Sequence, residues 1–371
     1  MPKGEREGHA MRRLYIDPSN FSRRQVLKGA MAGCLGSLSA TSMASCSSSG
    51  GESERRKDGK VTVALGWIKN VEFAGYWIAD SNKYYEKQGL NVTFRAGGPN
   101  APSPVQLVSS GTAEIGISPG MQDLLQAISR GNDFVILGAQ YQTSPGGLLS
   151  LARRPVTGPG DLPNLRILGQ QGVQSTLTSL YKINGIPVDY KFIPAGFDPG
   201  SLVRGAGDAY TCYVTSQPII LEQQYNLSLG SGYEVVTYAD LGLPAYANLI
   251  FCKRSYLKSH FGTLQSFLRA SVRGWKENVR DPGLAARLAT TVYGVDYGLV
   301  LSEQVRENEL QIPLTESPYT RSHGLMSIDI ELMGGKMYSA LEAGGVTNLP
   351  PPRNIVDKTV LNAAQKAPAA M

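Results

Sequence analysis

The stretch from Val61 to Phe251 alternates short runs of β-branched and aromatic residues with longer amphipathic runs, and this rhythm constrains the fold more than any other feature. Residues 61–65, 90–94, 114–117 and 134–139 read as strands. Residues 73–87, 102–110 and 121–129 read as the helices between them, with Gly89, Gly111 and Gly131 as their stops. Strands separated by helices cannot pair as tight hairpins. They are joined by crossovers into a mainly parallel sheet with helices on both faces, an α/β architecture. The rhythm then restarts, with strands expected at 148–152, 166–168, 191–193, 209–214 and 234–237 and helices at 176–183, 199–204 and 218–224. The second set reads as a smaller α/β unit inserted in the first, and 247–251 as the return crossing. Beyond Ser255 the chain is helical, over 263–279, 283–292, 300–310 and 328–342. The expected organisation is therefore two lobes hinged by two crossings: lobe 1 from 60–152 and 248–349, lobe 2 from 153–247, and a C-terminal tail at 350–371. A length of 371 residues is enough for two such cores, and no short internal repeat points to a solenoid.

The formal net charge of +6 suggests a nucleic-acid partner until it is located. Residues 1–45 carry seven Lys/Arg and three acids, so the rest of the chain has a net charge of only +2. The basicity belongs to a targeting segment, and nothing in the remainder resembles a nucleic-acid face. Ser22-Arg23-Arg24-Gln25-Val26-Leu27-Lys28 matches a twin-arginine export signal. The run at 29–45 is too short and polar to make a spanning helix. It ends Ser42-Met43-Ala44-Ser45-Cys46, which resembles a lipoprotein cleavage box, so Cys46 is the expected lipidation site and 46–59 a flexible tether. The box at Cys34 lies too close to Arg24, and a plain secreted protein is the other reading. Cys212 and Cys252 each sit in an apolar run. Export permits a disulfide, but two buried free thiols are expected.

Several chemistries lack support. The three histidines, His9, His260 and His323, are scattered, and no Cys/His cluster has metal spacing. Neither a phosphate-binding loop nor a dinucleotide fingerprint is present. Two Ser-x-x-Lys matches, at Ser179 and Ser255, have no partner motifs. No strained nucleophile turn accompanies a histidine. No cofactor is expected, and a monomer is the default.

What the chain does carry is a set of strand-to-helix turns bearing aromatics, amides and glycines, at the strand ends where open α/β folds bind ligands. The first spans Trp67 to Trp77. Trp67, Phe73 and Tyr76 offer stacking faces and Asn70 an amide that both donates and accepts. Trp77 reads as core, and Glu72 is undecided. The others supply Pro119, Gln140, Tyr141, Gln171, Gly172, Phe197, Asp198, Tyr213, Thr215, Gln217 and Tyr246. The Gln171-Gly172 turn also opens a helix, whose free amides can hold an acceptor oxygen.

These turns carry a resemblance. Trp67-Ile-Lys-Asn-Val-Glu-Phe-Ala-Gly-Tyr, the following Tyr84-Tyr-Glu-Lys-Gln-Gly, Gly111-Thr-Ala-Glu-Ile-Gly, Gly196-Phe-Asp-Pro and Tyr213-Val-Thr-Ser-Gln-Pro resemble extracytoplasmic solute-binding proteins of ABC importers. The branch is the nitrate/sulfonate/thiamine-pyrimidine (NMT1/THI5-like) one, and the likeness covers roughly residues 60–312. It implies a two-lobe periplasmic-binding-protein fold of type II, a small-molecule solute held between lobes, and delivery to a membrane permease and its ATPase. Within the branch, the aromatic turns favour a stacked heterocycle of the thiamine-pyrimidine type over a small anion, with Asn70 and Gln217 as candidate edge readers. Riboflavin is the second ligand reading. The fungal pyrimidine synthase of this branch consumes its own histidine beside a cysteine cluster. Here the matching region has Cys212 alone and no histidine near a cleft turn, so an enzyme is disfavoured. A surface adhesin or sensor reusing the fold is a third class, separable by whether a permease gene neighbours it.

Overall fold

A computed structural model describes residues 59–98, 101–170 and 172–366. The expected signal segment, Cys46 and Gln171 lie outside the described residues. The strands are β1 Gly59–Ala64, β2 Leu90–Arg95, β3 Ile115–Gly120, β4 Phe134–Tyr141, β5 Gly146–Leu151, β6 Arg166–Gly169, β7 Lys191–Pro194, β8 Ala209–Tyr213, β9 Tyr233–Thr237 and β10 Ala247–Lys253. They form two five-stranded sheets, ordered β2-β1-β3-β10-β4 and β7-β6-β8-β5-β9. In each sheet four strands run one way and one runs against them: β10 is antiparallel to β3 and β4, and β5 to β8 and β9. Those two strands are the ones that arrive from the other lobe. The chain enters each sheet at the edge where the parallel strands end, so the incoming strand must run back against them. That places the starts of β5 and β10 beside the C-terminal ends of their neighbours, on the cleft side.

The topology moves two expected boundaries. β5 pairs only with second-sheet strands, so the outward crossing falls at 142–145 and residues 146–152 belong to lobe 2. The expected tail is part of lobe 1: in the helix Thr359–Lys366, Val360, Leu361 and Ala364 are buried in the first lobe's core. The C-terminal helices also do more than cover one lobe. In Tyr338–Ala343, Ala340 joins the core of lobe 2 while Leu341 joins that of lobe 1.

The first lobe's larger core is organised by aromatics. Phe73, Tyr76 and Trp77 follow helical i, i+3, i+4 spacing and present one face inward. Tyr76 stacks on Phe267 at 6.2 Å and meets Trp275 edge-on at 6.3 Å; Trp77 stacks on Tyr293 at 4.3 Å. Fully burying each such ring contributes about 2–3 kcal/mol. The helix Ala74–Ser81 crosses Phe261–Arg280 backbone to backbone, through Gly75 and Gly274. Cys212 and Cys252 are both buried free thiols, and desolvation pushes that of Cys252 up to about 12.

Candidate functional site

The C-terminal edges of the two sheets face a cavity of about 250 Å³ lined from both lobes. Lobe 1 contributes Gly66, Trp67, Asn70, Glu72 and Pro119. Lobe 2 contributes Gly146, Gln170, Val173, Phe197, Thr211, Cys212, Tyr213, Ser216, Gln217 and Tyr238. Glu307 enters from the helix Leu301–Gln311. Trp67 and Phe197 approach across the cleft, with ring centroids 6.1 Å apart and planes tilted by 31°. A second groove of about 700 Å³ adjoins the cavity and shares Gly66, Trp67, Pro119, Gln170 and Phe197 with it. The Trp67–Phe197 pair therefore borders both the chamber and the adjoining groove.

The turn after β1 is built to project its side chains. Gly66 is required there, because a Cβ would stand 2.7 Å from the Pro119 ring. Asn70 caps the 3-10 turn Val71–Phe73: its Oδ1 accepts from the Glu72 amide, and its own carbonyl accepts from Trp77 Nε1 at 2.7 Å. The remaining amide group, Nδ2, donates to Glu307 Oε1 at 3.3 Å. The turn is gripped from behind by Leu301–Gln311, whose buried face is polar. Gln304 Oε1 accepts from the Val71 amide, and Gln311 Nε2 donates to the Val71 carbonyl. Asn248, held at φ +49° inside β10, donates through Nδ2 to Glu72 Oε1 at 2.8 Å.

Two carboxyls thus sit in one cavity wall. Glu72 is 3% exposed and Glu307 5%. Among the described residues the lining has no Lys, Arg or His. Burial without a cation disfavours ionisation. It raises Glu72 to about 7, against the opposing hydrogen bond from Asn248, and raises Glu307 to about 8, with repulsion from Glu72 adding to the effect. The folded protein therefore holds protons that an unfolded chain releases from about pH 4.5 upward. The resulting stability is full below that value and is lost as pH rises through about 7 and 8. The ligand-free protein is expected to lose stability between pH 5 and 8.5. Glu72→Gln or Glu307→Gln should remove roughly 1–3 kcal/mol of that loss, read by urea unfolding across pH. An unchanged pH slope in both variants would contradict this.

Of the residues expected at a ligand, Trp67, Asn70, Pro119, Phe197, Tyr213 and Gln217 line the cavity. Phe73 and Tyr76 do not; helical phase turns them into the core, where the Tyr76 hydroxyl has no partner among the described residues and burial raises its pKa. Gln140 and Tyr141 are buried behind the wall: Gln140 Nε2 donates to the Glu72 carbonyl and the Tyr141 hydroxyl to Gln311 Oε1. Tyr246 is buried in the first lobe, its hydroxyl accepting from the Asp329 amide. Asp198 caps a short helix by accepting from the Gly200 amide. Thr215 is buried, and Gly172 lies in an exposed turn; neither lines the cavity. Asn70 and Gln217 carry out structural tasks at the wall, since Gln217 Oε1 accepts from the Tyr213 amide. Glu307 and Tyr238 are lining residues that the reading of strand-to-helix turns misses.

The NMT1/THI5-like family model matches residues 70–285, more than half of the chain. The chain belongs to the NMT1/THI5-like family. Among related proteins, the formylaminopyrimidine-binding protein of Halalkalibacterium halodurans is 25% identical over 263 residues, covering 68% of this chain and 76% of that protein. The riboflavin-binding protein RibY of Chloroflexus aurantiacus is 25% identical over 282 residues, covering 74% and 78%. The 4-amino-5-hydroxymethyl-2-methylpyrimidine phosphate synthase of Schizosaccharomyces pombe is 24% identical over 234 residues, covering 60% and 66%. In fold, this NMT1/THI5-like chain is similar to the periplasmic aliphatic sulphonate binding protein SsuA of Escherichia coli. The TM-score is 0.60 at 16% identity, over 81% of this chain and 97% of that one. The α/β two-lobe architecture is that of periplasmic binding proteins. Among the described residues no helix is long and apolar enough to cross a membrane.

Proposed function

We propose that this NMT1/THI5-like protein is the solute-binding component of an ABC importer and that its solute is a small aromatic N-heterocycle of the thiamine-pyrimidine type. The observation that carries the ligand class is the composition of the chamber: aromatic rings from both lobes, two buried carboxyls, and no basic side chain among the described residues. A sulfonate, nitrate or phosphate would meet uncompensated acids there. An aminopyrimidine offers a face to Trp67, Phe197 or Tyr213 and N–H groups to the carboxyls. The formylaminopyrimidine-binding relative supports the same class. Binding favours the closed arrangement of the lobes, which a permease and its ATPase then recognise.

Riboflavin is the second reading, favoured by the RibY relative. Chamber size weighs against it. About 250 Å³ lies below the roughly 300–1,000 Å³ usual for drug-sized ligands. A three-ring flavin would have to extend past Trp67 and Phe197 into the adjoining groove. A synthase activity like that named for the fungal relative has less support, because no histidine lines the chamber among the described residues. Export by the twin-arginine route and anchoring at Cys46 belong to the same proposal, on the strength of Ser22–Lys28 and Ser42–Cys46.

The test is mass spectrometry of the molecule released when the protein, purified without added ligand, is denatured. An aminopyrimidine is expected; a sulfonate or other anion would overturn the ligand class.

A further inference from the structure

Glu72 and Glu307 are the feature of the chamber that stacking and shape do not explain. Among the described residues, every side chain hydrogen-bonded to these two carboxyls is a neutral amide. Asn248 Nδ2 donates to one oxygen of Glu72, while Asn70 Nδ2 and Gln304 Nε2 donate to the two oxygens of Glu307. The second oxygen of Glu72 has no partner among the described residues and is not sealed from the chamber. The other titratable groups near the pair are Tyr141 from β4, Tyr213 from β8, and Glu303 one turn earlier on Leu301–Gln311. None brings positive charge. β10 presents Asn248 and the helix Gln217–Tyr225 presents Gln217, both uncharged. On the Glu307 helix, Arg306 faces solvent with Glu309, at 3.8 Å. The chamber also holds Tyr238, whose buried hydroxyl has no partner among the described residues, together with the rings of Trp67, Phe197 and Tyr213.

A buried pair of acids held by amides, in a chamber lined with aromatic rings and with no cation in its lining among the described residues, is a site that lacks a positive charge. We infer that the solute supplies it: the ring presents a positively charged, N–H-bearing edge, of the protonated aminoheterocycle or amidinium class, to Glu72 and Glu307, and its entry displaces a proton from the pair to solvent. This rests on the heterocycle reading above and assigns the ring's charged edge. A cation favours the ionised carboxylates, so its affinity rises with pH until the pair is ionised in the free protein as well. A neutral ring of the same shape gains nothing from that ionisation.

Isothermal titration of the full chain with benzamidine, benzamide and benzoate isolates charge at nearly constant shape. The expected result is that benzamidine binds at least about tenfold more tightly than benzamide and that benzoate binds weakest. The benzamidine affinity should rise roughly tenfold from pH 6 to pH 8, with proton release seen as a buffer-dependent heat. Glu307→Gln should flatten the rise while the folded signal persists, and Glu72→Gln serves as the second variant if that one does not fold. Equal binding of benzamide and benzamidine, or a benzamidine affinity independent of pH, overturns the inference. Absence of binding by all three overturns it too; if an uncharged pyrimidine then still binds, the heterocycle reading survives without it.

Discussion

Trp67→Ala is expected to weaken solute binding by about 2–4 kcal/mol, roughly 30- to 1,000-fold, while leaving the fold in place. The ring is half-buried at the end of β1, and its outer partner is Phe197 of the other lobe. It therefore lines the chamber and meets the other lobe. Removing it takes away one stacking face and one of the rings through which the lobes meet. Trp77, ten residues on, is the matched control. It is fully buried and stacked on Tyr293, and its Nε1 donates to the Asn70 carbonyl. Trp77→Ala should cost about 3–5 kcal/mol of folding stability. Calorimetric titration and urea unfolding of both variants separate the roles. If Trp67→Ala unfolds the protein and keeps its affinity, Trp67 is a core residue.

The second large effect concerns Gly274. A Cβ there would stand 1.9 Å from the Gly75 carbonyl oxygen and 2.9 Å from the Ala79 nitrogen. Both are backbone atoms of the helix that continues the solute-facing turn, so neither can rotate aside. Gly274→Val is expected to lose about 3 kcal/mol, at the upper end of overpacking effects. Lys276→Ala, on the same helix with its side chain in an open groove, should stay within about 0.5 kcal/mol. Equal midpoints for the two variants in urea would mean that the helices do not meet at Gly75 and Gly274. The coupling to function is mechanical: separating these helices displaces Ala74–Ser81, and with it the Val71–Phe73 turn that carries Glu72.

How far the sequence reveals this site depends on distance along the chain. The strand-and-helix rhythm is legible because each strand is a short apolar run between turn residues. Trp67 is legible as a wall because it sits on a turn. Phe73 and Tyr76 mislead because composition marks them as stacking residues, whereas their spacing with Trp77 is that of one buried helix face. Asn70 is correctly placed, but its amide is engaged by Glu72 and Glu307. β5 is assigned to the wrong lobe because nothing local marks where a crossing ends; only its pairing with β8 and β9 does. Glu307 lies 237 residues from its partner Asn70. A signal for it does exist. Gln304, Glu307, Asn308 and Gln311 fall at i, i+3, i+4, i+7, the positions where a helix packed on a lobe normally carries its apolar stripe. A polar stripe at core spacing marks a helix that grips backbone and shapes a site.

Preference of the cleft for an N-heterocycle over small anions underlies the proposed function. It is tested most directly by thermal unfolding of the purified protein against a panel of a 4-aminopyrimidine of the thiamine-precursor type, riboflavin, taurine and nitrate. A solute at about a hundred times its dissociation constant adds roughly 2.7 kcal/mol. That is a shift of several degrees for a protein of this size. Such a shift is expected with the aminopyrimidine, a smaller one or none with riboflavin, and none with taurine or nitrate. A shift produced only by taurine or nitrate would contradict that preference.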